Sequence, residues 1–194
     1  MRIVAGRLGS RQFDAPKGFA THPMGERVRT ALFNTLGDIK GLNVLDAFAG
    51  SGALSFEALS RGAKHATILE IDRDAYDVIA KNISRLEVEN KTLLVHINAR
   101  SWSYRNNTER FDLVFCDPPY NQLQETVIEK LAKHTREGGL MVLSLPPHGD
   151  IRLPKEKFEL LTRKEYGDAF EQATRGRLPA GLDGAIAAFK ADIA

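Results

Sequence analysis

From residue 42 onward short apolar runs alternate with amphipathic segments, and this alternation constrains the fold more than any other feature of the chain. Residues 43–48, Asn43-Val44-Leu45-Asp46-Ala47-Phe48, read as a first buried strand, and residues 53–61 as a helix closed by Gly62. Residues 65–70 form a second predicted strand, 74–86 a helix, 92–97 a third strand and 111–116 a fourth. A helix over 124–134 and a fifth strand over 140–145 follow, with weaker strand candidates at 158–166 and 185–190. Strands separated by helix-length segments predict an α/β fold with a mostly parallel sheet covered by helices on both faces. A chain of 194 residues is long enough for one such domain and short for two.

The first forty residues differ from the rest. Arg2-Ile3-Val4-Ala5-Gly6 and Arg11-Gln12-Phe13-Asp14-Ala15 flank Arg7-Leu8-Gly9-Ser10, which predicts a short β-hairpin with glycines at its turn. Residues 26–36 read as a helix, with Val28, Leu32 and Leu36 on one face and Gly37 after its end. The expected organisation is therefore a basic extension over residues 1–40 and a catalytic domain over 41–194. Residues 1–30 carry six basic residues against two acidic ones, a surplus of +4, whereas the remainder sums to −2. Basic charge gathered at one end suits an arm that contacts phosphates, with Arg2, Arg7, Arg11, Arg27 and Arg29 as candidates. The same arginines also suit a solvated hairpin.

Composition narrows the chemistry. The single cysteine, Cys116, excludes an internal disulfide and a cysteine-cluster metal site, and is compatible with a reducing, cytoplasmic setting. It lies inside a predicted strand, where a small buried hydrophobe is expected. His22, His65, His96, His134 and His148 lack metal-ligand spacing, so no metal is expected. No apolar run reaches the ~18 residues of a membrane span, and no secretion signal is read at the start.

In open parallel sheets ligands sit beyond the carboxyl ends of the strands. The first strand ends in Asp46-Ala47-Phe48-Ala49-Gly50-Ser51-Gly52, where Gly50 and Gly52 permit a tight turn and close approach of a ligand. Asp46 brings a carboxylate to that edge, and Glu70 at the end of the second strand can take both hydroxyls of a ribose. A dinucleotide site competes with this reading, but Ser55 stands where the third glycine of G-x-G-x-x-G is required. No Gly-Lys-Ser/Thr follows the loop, which excludes a P-loop.

After the fourth strand comes Asp117-Pro118-Pro119-Tyr120. Prolines fix φ and donate no N–H, so their carbonyls remain free to accept. A carboxylate, a free carbonyl and an aromatic ring can hold the exocyclic amino group of a nucleobase and stack on its face. The same four residues also suit an ordinary turn.

Asp46-x-Phe48-x-Gly50-Ser51-Gly52, Glu70-Ile71-Asp72 and Asp117-Pro118-Pro119-Tyr120 resemble S-adenosylmethionine-dependent methyltransferases that act on exocyclic amines of bases. With Arg2-Ile3-Val4-Ala5-Gly6, Arg27-Val28-Arg29, Ala31-Leu32-Phe33-Asn34 and Glu57-Ala58-Leu59-Ser60-Arg61-Gly62-Ala63, the chain is similar to the bacterial RsmD family. The resemblance spans most of residues 1–146. It implies a Rossmann-like class I methyltransferase, with a mostly parallel seven-stranded sheet and a small N-terminal hairpin. It also implies methyl transfer from S-adenosylmethionine to guanine N2 in 16S small-subunit ribosomal RNA, naked or within an assembled particle, by a monomer. Asp46, Phe48, Gly50, Gly52, Glu70, Ile71, Asn98 and Ala99 would then hold the cofactor, and Asp117 to Tyr120 the acceptor base. Adenine-N6 methylation of DNA or another RNA, and a silent RNA-binding module, are the alternatives. The chain departs from the family in two places. His22-Pro23-Met24 replaces Arg-Pro-Thr, and Asn98-Ala99-Arg100 replaces an acid expected near the adenine.

Overall fold

The computed structural model describes residues 1–16, 24–118, 125–145, 153, 158–165 and 185–191, the residues from 185 by their backbone alone. Helix α1 (Glu26–Leu36) precedes β1 (Asn43–Asp46), α2 (Ala53–Ser60), β2 (His65–Glu70), α3 (Arg73–Leu86) and β3 (Thr92–His96). Helix α4 (Ala99–Arg105), β4 (Phe111–Cys116), α5 (Glu125–Ala132), β5 (Thr135–Leu145), β6 (Phe158–Glu165) and β7 (Ala185–Ala191) complete the chain. The hydrogen-bonded order is β3-β2-β1-β4-β5-β7-β6. The first five strands in that order pair in parallel, and β7 runs antiparallel to both β5 and β6. None of the described helices is long and apolar enough to cross a membrane.

Alternate strand residues feed two cores, one on each face of the sheet. Val44, Ala66, Ile68, Leu113 and Phe115 pack under α1, α2 and α3, through Leu32, Phe33, Phe56, Leu59, Ile79 and Ile83. Leu45, Leu69, Val114, Cys116 and Met141 face the other way, against Trp102 of α4 and Ile128 and Leu131 of α5. Ile3, Leu8 and Phe13 of the N-terminal segment belong to the first core, with Phe13 edge-on to Phe56 at 5.3 Å between centroids.

Several elements differ from their sequence expectation. The N-terminal hairpin is a single bridge, Arg2 to Gln12, rather than a two-stranded ladder. The reason lies in where the backbone donors go. The Val4 and Ala5 N–H groups donate to the Glu57 carboxylate on α2, and those of Arg7 and Leu8 to the Ser60 carbonyl and hydroxyl. A Cβ on Gly6 would lie 2.0 Å from the Ser60 carbonyl oxygen, so only glycine permits this docking. Strand β1 stops at Asp46, because Ala47 and Phe48 already belong to the turn. Strand β5 starts at Thr135 rather than at the expected Leu140; Gly138 adopts φ +69° and the β4–β5 register shifts in this added stretch. Helix α4 escaped sequence reasoning. It is short, and Asn98 starts it by accepting from the Arg100 and Ser101 N–H groups.

Candidate active site

Three carboxylates end adjacent strands. Asp46 ends β1, which lies between β2, ending in Glu70, and β4, followed at once by Asp117. Parallel pairing brings all three to one edge of the sheet, and Asp46 feels the charges of both others. Asp46 is 1% exposed. One oxygen accepts from the Ser55 hydroxyl at 2.7 Å, and the other is buried without a partner. Burial pushes its pKa up from 3.8 to about 7; the Ser55 bond opposes this, and Asp117 and Glu70 add to it. Ser55, the residue that breaks the dinucleotide pattern, is thus the one that holds Asp46, and sequence reasoning did not single it out as a site residue.

The turn after β1 is built on positive φ. Gly50 adopts φ +55° and Gly52 φ +75°, and a Cβ on Gly52 would meet the Phe56 ring at 2.8 Å. The Gly50 N–H donates to Glu70 at 2.7 Å. The other Glu70 oxygen accepts from the Ile71 and Asp72 N–H groups, each at 2.8 Å. Glu70 therefore joins the two loops that border the site, and its three bonds leave about one of four carboxylate lone-pair directions for a ligand hydroxyl. Phe48 is partly buried against the second core, whereas Ile71 is 61% exposed and offers an apolar face beside Glu70. His96 pairs in register with Glu70, and its Nε2 donates to the Ile71 carbonyl at 2.8 Å.

Asn98 and Ala99 stand at the same edge, at the start of α4. The Asn98 side-chain oxygen is engaged as the helix cap, so only its amino group remains to meet an adenine edge. Ala99 is buried, and as the first helical residue its N–H lacks an intrahelical acceptor.

Asp117 is partly buried and Pro118 buried. Burial raises the Asp117 carboxyl above the usual range, and a hydrogen bond from Ser144 of β5 opposes that rise. Ser144 is 4% exposed and follows the Cys116–Leu143 register pair, a placement legible only in the sheet. Pro119 and Tyr120 lie outside the described residues. Cys116 is buried and its thiol is pushed far up by burial and by the charges of Asp117 and Asp46, which leaves it a core side chain rather than a nucleophile. Among the described residues no three metal-binding side chains cluster.

The predicted phosphate contacts divide. Arg29 is fully buried; its guanidinium donates to the Met24 and Arg2 carbonyls and lies 3.6 Å from Glu57. It cannot reach a phosphate, which corrects the sequence expectation: its periodic position on α1 faces the core. Arg11 is largely engaged, donating to the Arg85 and Leu86 carbonyls at the end of α3. Arg2 pairs with Glu26 at 2.7 Å. Arg7 and Arg27 are exposed. The Arg7 N–H meets Ser60, at the end of α2 remote from the Gly52 turn and about 12 Å along the helix from it.

The cofactor fits this arrangement. A cationic sulfonium ligand answers three carboxylates gathered at one sheet edge and an orphaned carboxylate oxygen, a glycine turn admits close approach, and Glu70 and Ile71 provide an acceptor beside an apolar face.

Comparison with known proteins agrees. The family model described as Conserved hypothetical protein 95 matches residues 1–173. Ribosomal RNA small subunit methyltransferase D of Haemophilus influenzae is 34% identical over 181 residues, covering 91% of this chain and 89% of that protein. The solved structure of yhhF from Escherichia coli has a TM-score of 0.82 at 29% identity, covering 99% of this chain and 98% of that one. A solved methyltransferase fold complexed with SAH, at 17% identity and a TM-score of 0.67, covers 84% of this chain and 48% of that one, and shows the fold alone. The chain belongs to the RsmD family of S-adenosylmethionine-dependent methyltransferases.

Proposed function

We propose that this protein transfers a methyl group from S-adenosylmethionine to the exocyclic N2 of a guanine in 16S small-subunit ribosomal RNA, as a cytoplasmic, monomeric enzyme. The observation that carries this reading is the convergence of Asp46, Glu70 and Asp117 on one sheet edge, with Asp117 and Pro118 closing β4. Membership of the family and its relatives' activity on ribosomal RNA support the substrate class.

When bound, S-adenosylmethionine supplies a methyl group already activated on a sulfonium. The acceptor is the harder partner, because the guanine amino lone pair is delocalised into the ring. Asp117 and the Pro118 carbonyl accept the two N–H bonds and turn the nitrogen towards tetrahedral geometry, its lone pair aimed at the methyl. This is orientation together with electrostatic complementarity to positive charge developing on nitrogen. The methylated cationic amine is strongly acidic, so its proton leaves to Asp117 or to water. Tyr120 stacks on the base, which has left its helix or loop at a cost of a few kcal/mol. Arg7 and Arg27 are the exposed arginines of the N-terminal segment best suited to offset that cost through phosphates.

The test is incubation with labelled S-adenosylmethionine and either deproteinised small-subunit RNA or assembled particles, followed by mass spectrometry of the nucleosides. N2-methylguanosine is expected, and N6-methyladenosine would replace the guanine assignment by an adenine one. Asp117→Ala should abolish transfer and leave cofactor affinity nearly intact. Turnover near the wild-type rate would remove Asp117 from the chemistry.

A further inference from the structure

A second basic surface lies on the opposite face of the sheet from the N-terminal segment. Helix α4 turns Trp102 and Ser103 inward and leaves Arg100, Ser101, Tyr104 and Arg105 outward. Tyr104 is 81% exposed, more than Ile71, Leu93, Leu160 or Leu161, the other large hydrophobic side chains at the surface of the described residues. Arg100 stands one helical turn before it, on the same side of the helix. Arg2, Arg73, Arg85 and Arg136 are also exposed, but each is paired with a carboxylate. Arg100 and Arg105 have no acidic partner among the described residues. Arg110, in the following turn, donates only to the Asn107 and Glu109 carbonyls, and Glu109 is the one acid on this stretch.

We infer that the outer face of α4, through Arg100, Tyr104 and Arg105, is a contact surface for single-stranded RNA flanking the target nucleotide. The inference rests on the RNA substrate proposed above and adds where that RNA lies. A freely exposed phenol is a stacking platform for any base, and unpaired guanidiniums on either side of it suit the phosphates before and after that base. Aliphatic partners would find little apolar area here, and a protein partner would have to bring its own acids. The helix starts at Asn98, on the sheet edge that carries Asp46, Glu70 and Asp117, and Tyr104 lies about 9 Å along it. That distance is short enough for one or two nucleotides. The N-terminal segment packs with α1, α2 and α3 on the other face. An RNA strand that runs from Tyr104 back along α4 to Asn98 reaches the carboxyl edge, where the target base must enter.

The test uses the whole protein with small-subunit ribosomal RNA and with a ten-nucleotide oligouridylate, measuring affinity by fluorescence anisotropy over a series of salt concentrations. For the oligonucleotide, Arg100→Ala with Arg105→Ala should weaken binding and lower the log–log salt slope by about 1.4, from two phosphate contacts on a single strand. Tyr104→Ala should weaken it by roughly tenfold with the slope unchanged, and Tyr104→Phe should restore most of the loss. Cofactor affinity should be unaffected in all three. Wild-type affinity and slope in the folded variants would overturn the inference. So would a defect seen only on assembled particles, which would make the face a protein contact. Methyl incorporation by the wild-type protein is measured in parallel. If the wild type methylates RNA while the variants bind normally, the surface fails and the proposed activity stands. If RNA binding depends on α4 without any methylation, the activity fails and the surface stands.

Discussion

Asp46→Asn should make the ligand-free protein more stable at pH 8 while weakening its hold on the cofactor. Asp46 is 1% exposed, has one partnered oxygen, and titrates at about 7 instead of 3.8. That displacement corresponds to about 4 kcal/mol of difference between the ionised and neutral forms. The folded pKa lies above the unfolded one, so the folded state binds more protons between the two values. Asp46's contribution to stability is complete below about pH 3.8 and is lost as pH rises to about 7, after which it is level. About 3 kcal/mol of the change falls between pH 5 and pH 8. Asparagine keeps an acceptor for the Ser55 hydroxyl and carries no charge, but its amino group inherits the unpartnered position, at about 1–3 kcal/mol. The net gain at pH 8 is then about 1–3 kcal/mol, or roughly 2–10 °C in melting temperature. Urea unfolding of both proteins at pH 5 and pH 8 isolates the effect, because the difference between them removes the other titrating groups. The gap should move by about 3 kcal/mol in favour of the variant as pH rises. In the wild type, a cationic cofactor should expel a proton when it binds near pH 6.5, detected calorimetrically in buffers of different ionisation enthalpy. A stability gap independent of pH, or binding without proton release, would refute the reasoning.

Ser144→Ala removes the bond that favours ionised Asp117, so the acid limb of the rate–pH profile should move to higher pH while cofactor affinity holds; an unmoved limb would show that the hydroxyl does not act on Asp117. Glu57→Ala takes the acceptor from the Val4 and Ala5 amides and strands the buried Arg29, so unfolding free energy should fall by about 3–5 kcal/mol in denaturant titrations. A loss below about 1 kcal/mol would mean that the N-terminal segment is held by apolar contacts alone. His134 is buried; Nδ1 donates to the Glu109 carbonyl and Nε2 accepts from Ser103, and burial lowers its pKa. Its stabilisation is complete above about pH 6.5 and is lost as pH falls toward the lowered folded value. His134→Ala should therefore cost more at pH 8 than at pH 5, and equal losses at both would contradict the buried neutral ring.

The sheet was legible because its central strands are buried on both faces and so become continuous apolar runs, independent of which helix covers them. Strands β2 and β4 end where the sequence ends them, at Glu70 and Cys116. The glycine turn and the three acids at strand ends were legible for a related reason: in a parallel sheet, chain direction alone sends strand ends to one edge. Partners that arrive from elsewhere in the chain were not legible. Nothing local pairs Ser55 with Asp46, or Ser144 with Asp117, until the strands assemble. Arginine composition could not distinguish Arg29, buried against Glu57, from Arg7, left in solvent; a charge count records neither direction nor neighbour. The hairpin was legible as a turn with antiparallel arms, which pair at Arg2 and Gln12, but not in its length, since Glu57 and Ser60, more than fifty residues away, take the Val4, Ala5 and Leu8 donors that a longer ladder would have used. Sequence therefore determined the order of the strands along the chain and the acids at their ends. The tertiary structure decided which charges are buried, which hydrogen bonds they make, and hence which remain free to meet a ligand.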